Sequence, residues 1–397
     1  MCFDNDFAKP EEKHTFCGMT YANPSSFTTW KGIPSLAAVL KWKFNCYGEK
    51  DNSEVPAESE LDKTLPVYQV DVEAYRNPKR ELFSNWLGHA TVLVHMDGLN
   101  IITDPVFADY ASPVPWVCPR YRKPPCNTSD LLKVDVGVIS HNHYDHLDAT
   151  AVAEISRNNP DIKWFVPKGL KSTVDGFIRN THVKVQELTW GEKVAIEHNN
   201  KKFTILCTPA QHWSQRKAYD QNMSLWSGWA IMGPKHRFFY SGDTGYCDEE
   251  FKTLGKKYGP FDLAAIPIGC YLPREFMRSQ HINPEEAVKI GLHIKAMNIM
   301  GIHWGTYKMG SNEGYMQPRQ DFDAAATKHK TELDGINAKA FTLEHGEMWT
   351  APEKRNSWPA IPFADDEIAK NDAQEGEGMG NLTTTSSYSI PEPKKEA

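Results

Sequence analysis

Short apolar runs alternate with polar segments between about residue 82 and residue 348. The runs are rich in β-branched and aromatic residues, which is typical of strands; they read TVLVHM, NIITD, VGVIS, KWFVP, KFTILC, RFFYSGD, LAAIPI and MNIMGIH. The segment Asn283–Val288 predicts the start of a helix, because an N-cap asparagine precedes a proline and two glutamates. This alternation predicts an α/β domain whose chemistry lies on loops at the strand ends.

The regions on either side of this domain differ from it in composition. Residues 1–80 are irregular apart from a dense apolar and aromatic stretch at 27–44, which a polar, acidic linker follows near 50–63. After Pro352 the chain is rich in Pro, Glu, Ser, Thr and Gly, and too polar to bury a core. We therefore expect an N-terminal extension at 1–80, a central domain at 81–350 and a disordered C-terminal tail at 351–397.

Charge and cysteine usage exclude some function classes. The chain has 397 residues, a formal net charge of −7 and a pI of about 6.1, which argues against nucleic acid as the main partner. We expect neither a transmembrane helix nor a signal peptide, because no run of about 20 apolar residues occurs and the N-terminus is acidic. The cysteines form no C-x-x-C pair, which favours reduced thiols in an intracellular protein.

A compact group of metal-binding side chains follows one predicted strand. After the run Val134–Ser140 come His141, His143, Asp145 and His146, four ligand-type residues within six positions. Imidazole and carboxylate groups together suit zinc, with iron or manganese as less favoured occupants. His141 and His143 can project the same way from an extended segment, while Asp145 and His146 can face a second ion. The alternative is a polar loop with incidental histidines, and this spacing argues against it.

Later strand ends supply three further candidate ligands. His212 follows the run KFTILC, Asp243 follows RFFYSG, and His303 follows MNIMGI. Each of them alone could be a core or loop residue. Their repeated position after a strand favours one shared metal site at the edge of a sheet.

The order of these residues resembles the metallo-β-lactamase superfamily: H-x-H-x-D-H, a lone histidine, G-D-T-G, and a late histidine after a strand. The resemblance implies an αββα sandwich of two similar halves with the metal ions at one rim. It also implies a set of ligands: His141, His143 and His212 for one zinc, Asp145, His146 and His303 for the other, and Asp243 as the bridge. An aspartate at position 243, where β-lactamases often have cysteine, indicates the phosphodiesterase, glyoxalase and lactonase branches.

Further segments are similar to the N-acylphosphatidylethanolamine-hydrolysing phospholipase D family. They span about residues 20–350 and include Trp86–Ala90, Thr103–Phe107, His141–Asp148, Gln211–Trp213, Ser241–Cys247, Phe261–Gly269, Gln280–Val288 and Ile302–Thr306. The resemblance implies a dinuclear zinc phosphodiesterase that converts N-acylphosphatidylethanolamine to an N-acylethanolamine and phosphatidic acid. The acidic, Ser/Thr-rich tail is not part of this pattern.

The resemblance also implies roles for residues beyond the ligand set. Asp104 would orient a metal ligand or the nucleophile, unless it is only a turn carboxylate before proline. His281 would contact the substrate phosphate and help to protonate the leaving group, unless it caps the helix at Asn283. Tyr144 would contact the substrate, unless it packs beneath the metal-binding loop. For His89 we favour a structural or ligand-orienting role.

A phospholipid substrate requires access to a membrane. The stretch 27–44 interleaves apolar residues with lysines and could lie at a membrane interface, although such stripes more often pack against a core. Its apolar members are Trp30, Ile33, Leu36, Val39, Leu40, Trp42 and Phe44, and a second set near the entrance comprises Trp213, Arg216, Lys217 and Tyr219. We expect a peripheral protein on the cytosolic face of a membrane, with no nucleic-acid partner; a homodimer is compatible with this.

Two alternatives to this function stay open from the residues alone. One is another hydrolase of the same fold, such as a lactonase or a nucleic-acid phosphodiesterase, although the acidic pI argues against a nuclease. The other is a non-catalytic binding protein on the same scaffold. Such a protein would be expected to lose metal ligands, whereas this chain keeps all those that the pattern requires.

Overall fold

The structure, a computed structural model, describes residues 2–15, 18–44, 46–179 and 182–352. Its strands are β1 (Cys2–Phe3), β2 (Glu11–Thr15), β3 (Gly18–Ala22), β4 (Leu82–Gly88), β5 (Thr91–Met96), β6 (Leu99–Thr103), β7 (Val136–Val138), β8 (Lys163–Pro167), β9 (Lys184–Leu188), β10 (Glu192–His198), β11 (Lys201–Thr208), β12 (Gly228–Met232), β13 (Arg237–Tyr240), β14 (Leu263–Pro267), β15 (Asn298–Ile302), β16 (Lys339–Phe341) and β17 (Met348–Thr350). Its helices are α1 (Leu36–Lys43), α2 (Glu58–Thr64), α3 (Glu73–Arg76), α4 (Ala149–Asn158), α5 (Lys171–Phe177), α6 (Asp248–Lys257), α7 (Arg274–Met277), α8 (Pro284–His293), α9 (Gln317–Lys328) and α10 (Lys330–Gly335), with a 3₁₀ helix at Thr128–Asp130. From residue 353 onward, the predicted tail lies outside the described residues.

Two large mixed sheets form the centre of the fold. One has the strand order β1-β10-β11-β12-β13-β14-β15-β16 and the other β17-β4-β5-β6-β7-β8-β9, while β2 and β3 form a separate hairpin. Each large sheet joins an antiparallel part to a parallel part, β13–β16 in the first and β6–β9 in the second. Helices α8 and α9 pack on the first sheet, and α4 and α5 cover the second. The predicted αββα sandwich is therefore confirmed.

The predicted elements are present. Each predicted strand run contains a strand of the structure, namely β5, β6, β7, β8, β11, β13, β14 and β15. The predicted helix start is α8, where the Asn283 side chain accepts from Glu286 N at 2.9 Å and the Glu286 side chain accepts from Asn283 N at 3.0 Å. This reciprocal capping satisfies two N–H groups that a helix start otherwise leaves unpaired.

The main apolar core lies between the two sheets. On β5, Val92 faces this core and Leu93 faces the helices outside, as the two-residue period of a strand requires. Large aromatic side chains fill the core, including Trp86, Trp190, Trp226, Trp229 and Tyr240. The indole N–H of Trp229 on β12 donates to the Ile139 carbonyl at 2.9 Å. This bond joins the two sheets just before the first predicted metal ligand.

The N-terminal extension contributes to the sandwich. Strand β1 pairs with β10 at one edge of the eight-stranded sheet. Phe7, Tyr21 and Phe27 are buried in the core between the sheets. The boundary at residue 80 stays a prediction, but residues before it belong to the same packed unit.

The apolar stretch at 27–44 is divided between core and surface. Its first part packs inward through Phe27 and, in part, Trp30. In α1, Trp42 stacks on Phe276 with ring centroids 5.3 Å apart, and its indole N–H donates to the Gly310 carbonyl at 3.0 Å. Leu40, in contrast, is exposed. Among the residues that the structure describes, none of the helices has the length and apolar character needed to cross a membrane.

Candidate metal centre

The candidate ligands meet because their strands end at the same edges of the two sheets. Parallel strands direct their carboxyl ends to one edge, where loops collect functional side chains. The structure brings together at this edge all the predicted metal ligands, which are buried or nearly so: His141, His143, Asp145 and His146 after β7, His212 after β11, Asp243 after β13 and His303 after β15. Within the described ranges, the close groups of metal-binding atoms all belong to this one centre.

Three imidazole rings form the first half of the centre. The Nε2 atom of His141 lies 2.8 Å from Nδ1 of His143, which lies 3.3 Å from Nε2 of His212. On the far side of its ring, His212 Nδ1 donates to the Gln280 carbonyl at 2.9 Å. His141 Nδ1 donates to the Ser140 hydroxyl oxygen at 2.8 Å. The facing Nε2 atoms of His141 and His212 are therefore unprotonated.

These facing nitrogens fit a metal ion better than a proton. Burial is the main cause that lowers the pKa of His143 to about 4 and the pKa of His212 to about 3. Burial likewise lowers the pKa of His141. The lone pairs of His141 Nε2 and His212 Nε2 both point toward His143 Nδ1, an arrangement that a shared cation would stabilise.

The second half of the centre contains Asp145, His146 and His303. The Nε2 atoms of His146 and His303 lie 3.2 Å apart, and Asp145 Oδ2 lies 3.3 Å from the first and 3.4 Å from the second. His89 Nε2 lies 3.0 Å from the same oxygen. Burial and the nearby His303 lower the pKa of His89 to about 3. Neutral His89 can therefore donate its N–H to Asp145 and orient that carboxylate.

Asp243 contacts both halves of the centre. Its Oδ2 lies 3.1 Å from His146 Nε2 and 3.9 Å from His212 Nε2, and its Oδ1 lies 3.3 Å from His303 Nε2. Burial alone would raise the pKa of Asp243, but the charges of His146 and His303 outweigh it and hold the pKa well below its usual range. An ionised carboxylate between two groups of imidazoles can serve two metal ions at once.

Asp104 orients one of these ligands from behind. Its Oδ2 accepts from His146 Nδ1 at 2.7 Å and from the hydroxyls of Ser140 and Tyr240, and its Oδ1 accepts from Ser140 N at 2.7 Å. This bond keeps a proton on His146 Nδ1, so that Nε2 is the ring atom available to a metal ion at the centre. Burial and the Asp104 charge raise the pKa of Tyr240, which keeps the hydroxyl proton in place. Sequence analysis did not identify Tyr240, because an aromatic residue in a strand signals only a core position.

His281 contacts both halves of the centre, through His212 and His303. Its Nδ1 is 3.8 Å from Asp243 Oδ2, and its ring centroid is 5.3 Å from that of His212. This buried Nδ1 has no hydrogen-bond partner among the described residues. The helix that follows is capped by Asn283, so the alternative of His281 as the cap is not what the structure has.

Tyr144 and Arg216 form a pair beside the metal-binding loop. The Tyr144 hydroxyl donates to the Arg216 carbonyl at 3.2 Å, and the Arg216 guanidinium lies 4.0 Å from the centroid of the Tyr144 ring. Arg216 Nη1 donates to the carbonyls of Leu147 at 2.7 Å and Asn142 at 3.3 Å. Arg216 thus ties together the two ends of the loop that carries the ligands, a role that its position in the sequence does not signal.

Comparison with known proteins found a matching family model and similar sequences. A family model described as a β-lactamase superfamily domain matches residues 99–304. The N-acyl-phosphatidylethanolamine-hydrolyzing phospholipase D 1 of Caenorhabditis elegans is 46% identical over 355 residues, which cover 88% of this chain and 97% of that protein. A mitochondrial protein of the same name from Saccharomyces cerevisiae is 34% identical, over 69% of this chain but only 57% of the yeast protein.

Solved structures support the fold alone. The isothiocyanate hydrolase from Delia radicum gut bacteria superposes with a TM-score of 0.50 at 17% identity, covering 68% of this chain and 100% of that one. A possible metal-dependent hydrolase from Veillonella parvula superposes with a TM-score of 0.51, also at 17% identity, covering 68% and 99%.

Proposed function

Because the chain belongs to the N-acylphosphatidylethanolamine-hydrolysing phospholipase D family of the β-lactamase superfamily, we propose that it is a dinuclear zinc phosphodiesterase. Its substrate would be N-acylphosphatidylethanolamine, and its products an N-acylethanolamine and phosphatidic acid. The observation that carries this proposal is the pair of facing ligand groups with Asp243 between them.

The donor set favours zinc at both positions. One group offers three neutral imidazoles, and the other offers two imidazoles and a carboxylate, all common zinc donors. We assign His141, His143 and His212 to one ion, Asp145, His146 and His303 to the other, and Asp243 to both. When bound, two zinc ions supply Lewis-acid polarisation of a phosphoryl group and lower the pKa of water.

The chain's own residues would hold the metal ligands in position and form hydrogen bonds to the substrate. Asp104 holds the His146 ring and His89 donates to Asp145, so that neither ligand can rotate away from the centre. In the proposed reaction water adds to phosphorus and the bond from phosphorus to the ethanolamide oxygen breaks, which leaves that oxygen in need of a proton. The unpartnered Nδ1 of His281 supports a hydrogen bond to a phosphoryl oxygen or to this leaving oxygen. Tyr144 is proposed to contact the substrate from the rim.

A membrane phospholipid is the proposed partner, reached by peripheral association at the cytosolic face of a membrane. Support comes from the apolar residues that α1 leaves exposed and from the acidic pI, which disfavours nucleic acid. A homodimer stays a prediction.

The activity can be tested by substrate competition. The purified, zinc-loaded protein is incubated with N-acylphosphatidylethanolamine in mixed micelles, and in parallel with a β-lactam, an acyl-lactone and a short RNA. We expect N-acylethanolamine release from the first only, loss of release after chelation, and recovery when zinc is restored. Turnover of another substrate instead would contradict the lipid assignment.

Asp243→Asn tests the shared ligand directly. Because an amide is a poorer zinc ligand than a carboxylate, we expect release to be lost and the zinc content to fall below two ions per chain. Asp161→Asn, at an exposed position just before β8 and so at the amino ends of the parallel strands, is the matched control and should keep both properties. Full activity of Asp243→Asn, or a single ion in the fully loaded parent protein, would overturn the dinuclear assignment.

A further inference from the structure

Among the described residues, no hydrogen bond orients the His281 ring. Its buried Nδ1 atom has no partner there, and the nearest carboxylate oxygen, Asp243 Oδ2, is 3.8 Å away. The ring lies against two metal ligands, with centroid distances of 5.3 Å to His212 and 5.8 Å to His303. Such contacts restrict the ring, but without a hydrogen bond the direction of its nitrogens depends on the backbone that carries it.

Both polar atoms of the His281 backbone bond to the short helix α7. The His281 N–H donates to the Met277 carbonyl at 2.9 Å, and the His281 carbonyl accepts from Arg274 Nη1 at 2.6 Å. Met277 and Arg274 are the two ends of α7. Within the described ranges, Arg274 is the side chain that bonds to the His281 backbone. The residue that carries the ring is therefore held from both sides, once by a backbone carbonyl and once by a guanidinium.

The Arg274 guanidinium is itself held in one place. Its Nη2 donates to Glu286 Oε2, the oxygen that also accepts from Asn283 N at 3.0 Å at the start of α8. The Arg274 side chain is 22% exposed and the Glu286 side chain 15%, so solvent weakens this pair less than a pair at the surface. Because a guanidinium is planar and its donors have a fixed geometry, the two bonds set the His281 carbonyl at a fixed distance from α8.

Helix α7 depends on contacts with other segments, since its four residues form only about one helical turn. Arg274 N donates to Glu49 Oε1 at 3.0 Å. Phe276 stacks on Trp42 of α1, with ring centroids 5.3 Å apart. Both contacts come from the N-terminal extension. Arg274 therefore connects His281 to two packed parts of the chain, the N-terminal extension and the start of α8.

The residue before His281 bonds to a metal ligand. The Gln280 carbonyl accepts from His212 Nδ1 at 2.9 Å, and Gln280 Oε1 accepts from the Trp213 indole N–H at 2.7 Å. A shift of the backbone at 280–281 would move the His281 ring away from the position that it has beside His212. Because Arg274 binds the carbonyl of His281, it opposes such a shift.

We propose that Arg274 is a positioning residue, which holds the His281 ring through the His281 carbonyl at the place where this ring meets the phosphate ester. In this role Arg274 touches neither the substrate nor a metal ion. The proposal rests on the proposed function for what His281 does to the substrate. The placement of the His281 ring by Arg274 is a property of the folded chain and can be measured without turnover.

Arg274→Ala is the decisive variant, and Arg319→Ala is its matched control. The Arg319 side chain on α9 is 29% exposed and pairs with Glu344, whose side chain is 15% exposed. Both variants lose a guanidinium and an ion pair, but only Arg274→Ala frees the His281 carbonyl. Arg274→Lys keeps the charge without the planar fork, so lysine can bind one of the two acceptors but does not hold both in a fixed geometry. If Arg274→Ala fails to fold, Arg274→Lys carries the same measurements.

At full zinc loading, we expect Arg274→Ala to lower kcat about 10- to 100-fold with little change in KM, because a small displacement of a group that acts on the substrate costs this much. Arg274→Lys should recover part of the loss, and Arg319→Ala should keep the kcat of the parent. In the His281→Ala background, Arg274→Ala should have no further effect, since a residue that acts through His281 loses its influence when that ring is absent. Equal losses with and without the His281 ring would overturn the proposal, because Arg274 would then act on the fold in general.

A spectroscopic readout of the His281 ring needs no turnover. In zinc-loaded protein with isotopically labelled histidine, the NMR signals of this ring are those that His281→Ala removes. We expect Arg274→Ala to shift or broaden these signals, Arg274→Lys to restore them in part, and Arg319→Ala to leave them as in the parent. Unchanged His281 signals in Arg274→Ala would contradict the placement of the ring by Arg274.

The same experiments separate this proposal from the proposed function. The kinetics are measured on N-acylphosphatidylethanolamine in mixed micelles and on bis(p-nitrophenyl) phosphate, a phosphodiester without lipid character. Hydrolysis of the second alone would remove the lipid assignment, while the comparison of single and double variants would still decide the role of Arg274. Hydrolysis of the lipid together with an unshifted His281 ring in Arg274→Ala would retain the proposed function and overturn the role of Arg274.

Discussion

Asp104→Asn tests whether the carboxylate behind His146 controls the metal. Asp104 accepts four hydrogen bonds, three at Oδ2 and one at Oδ1. Asparagine has only one side-chain oxygen. In the more favourable orientation this oxygen accepts from the three donors that Oδ2 serves in the parent, and the NH₂ group faces Ser140 N. One buried N–H is left without an acceptor, which costs about 1–3 kcal/mol in the free energy of unfolding.

The zinc affinity should also fall, for a separate reason. The bond from His146 Nδ1 loses its charged acceptor, and charge-assisted bonds are roughly twice as strong as neutral ones. His146 Nε2 becomes a weaker and less firmly oriented ligand. Losing such an outer acceptor typically reduces metal affinity about 10–100-fold, or about 1.4–2.8 kcal/mol at about 1.4 kcal/mol per decade.

The assay measures both effects in the same preparations. Zinc affinity is obtained by titrating metal-free protein against a competing chelator, and the free energy of unfolding by urea denaturation of the metal-free protein. Asp97→Asn is the matched control: Asp97 is also buried and accepts from Lys235 N, His236 N and His236 Nδ1, at 2.9, 3.0 and 2.6 Å, away from the centre. It should lose stability without losing zinc affinity. Equal zinc affinities for Asp104→Asn and the parent would refute the reasoning.

Three further outcomes are expected. Arg216→Ala should reduce kcat/KM about tenfold because the carbonyls of the metal-binding loop 142–147 lose their shared donor, and Arg216→Lys should restore only part, since lysine lacks the planar fork; steady-state kinetics at full zinc loading measure both. Burial would raise the pKa of Asp97, but its histidine and backbone donors outweigh burial and lower that pKa. Its stabilising effect is therefore present above about pH 4 and lost as the pH falls through the folded-state pKa, so urea unfolding of metal-free protein should show a steeper acid loss for the parent than for Asp97→Asn; parallel profiles would contradict this. Gly137→Ala should lower the free energy of unfolding by about 1–3 kcal/mol, because a Cβ there would lie 2.3 Å from the Trp164 ring, and a urea midpoint equal to that of the parent would show that the ring moves freely.

Much of the fold could be predicted because the local pattern and the tertiary structure agree. The apolar runs after Leu82 are strands because their β-branched and aromatic residues suit a sheet buried on both faces. Strands β4 and β12 are among those that were not predicted, and LFSNWLG of β4 mixes polar with apolar residues. The polar side chain of Asn85 on β4 is tolerated inside because it has partners there, the Tyr75 hydroxyl and the Gly346 carbonyl.

By itself, the sequence determined which side chains could bind metal and the order in which strands would present them, because ligand chemistry and strand periodicity are local properties. Only the tertiary structure decided which atoms face one another: that His141, His143 and His212 converge, that Asp243 lies between both groups, and that His89 donates to Asp145. These are contacts across long stretches of chain, and they arise when two sheets pack and their strand ends meet at one edge, a constraint that no short segment of sequence contains.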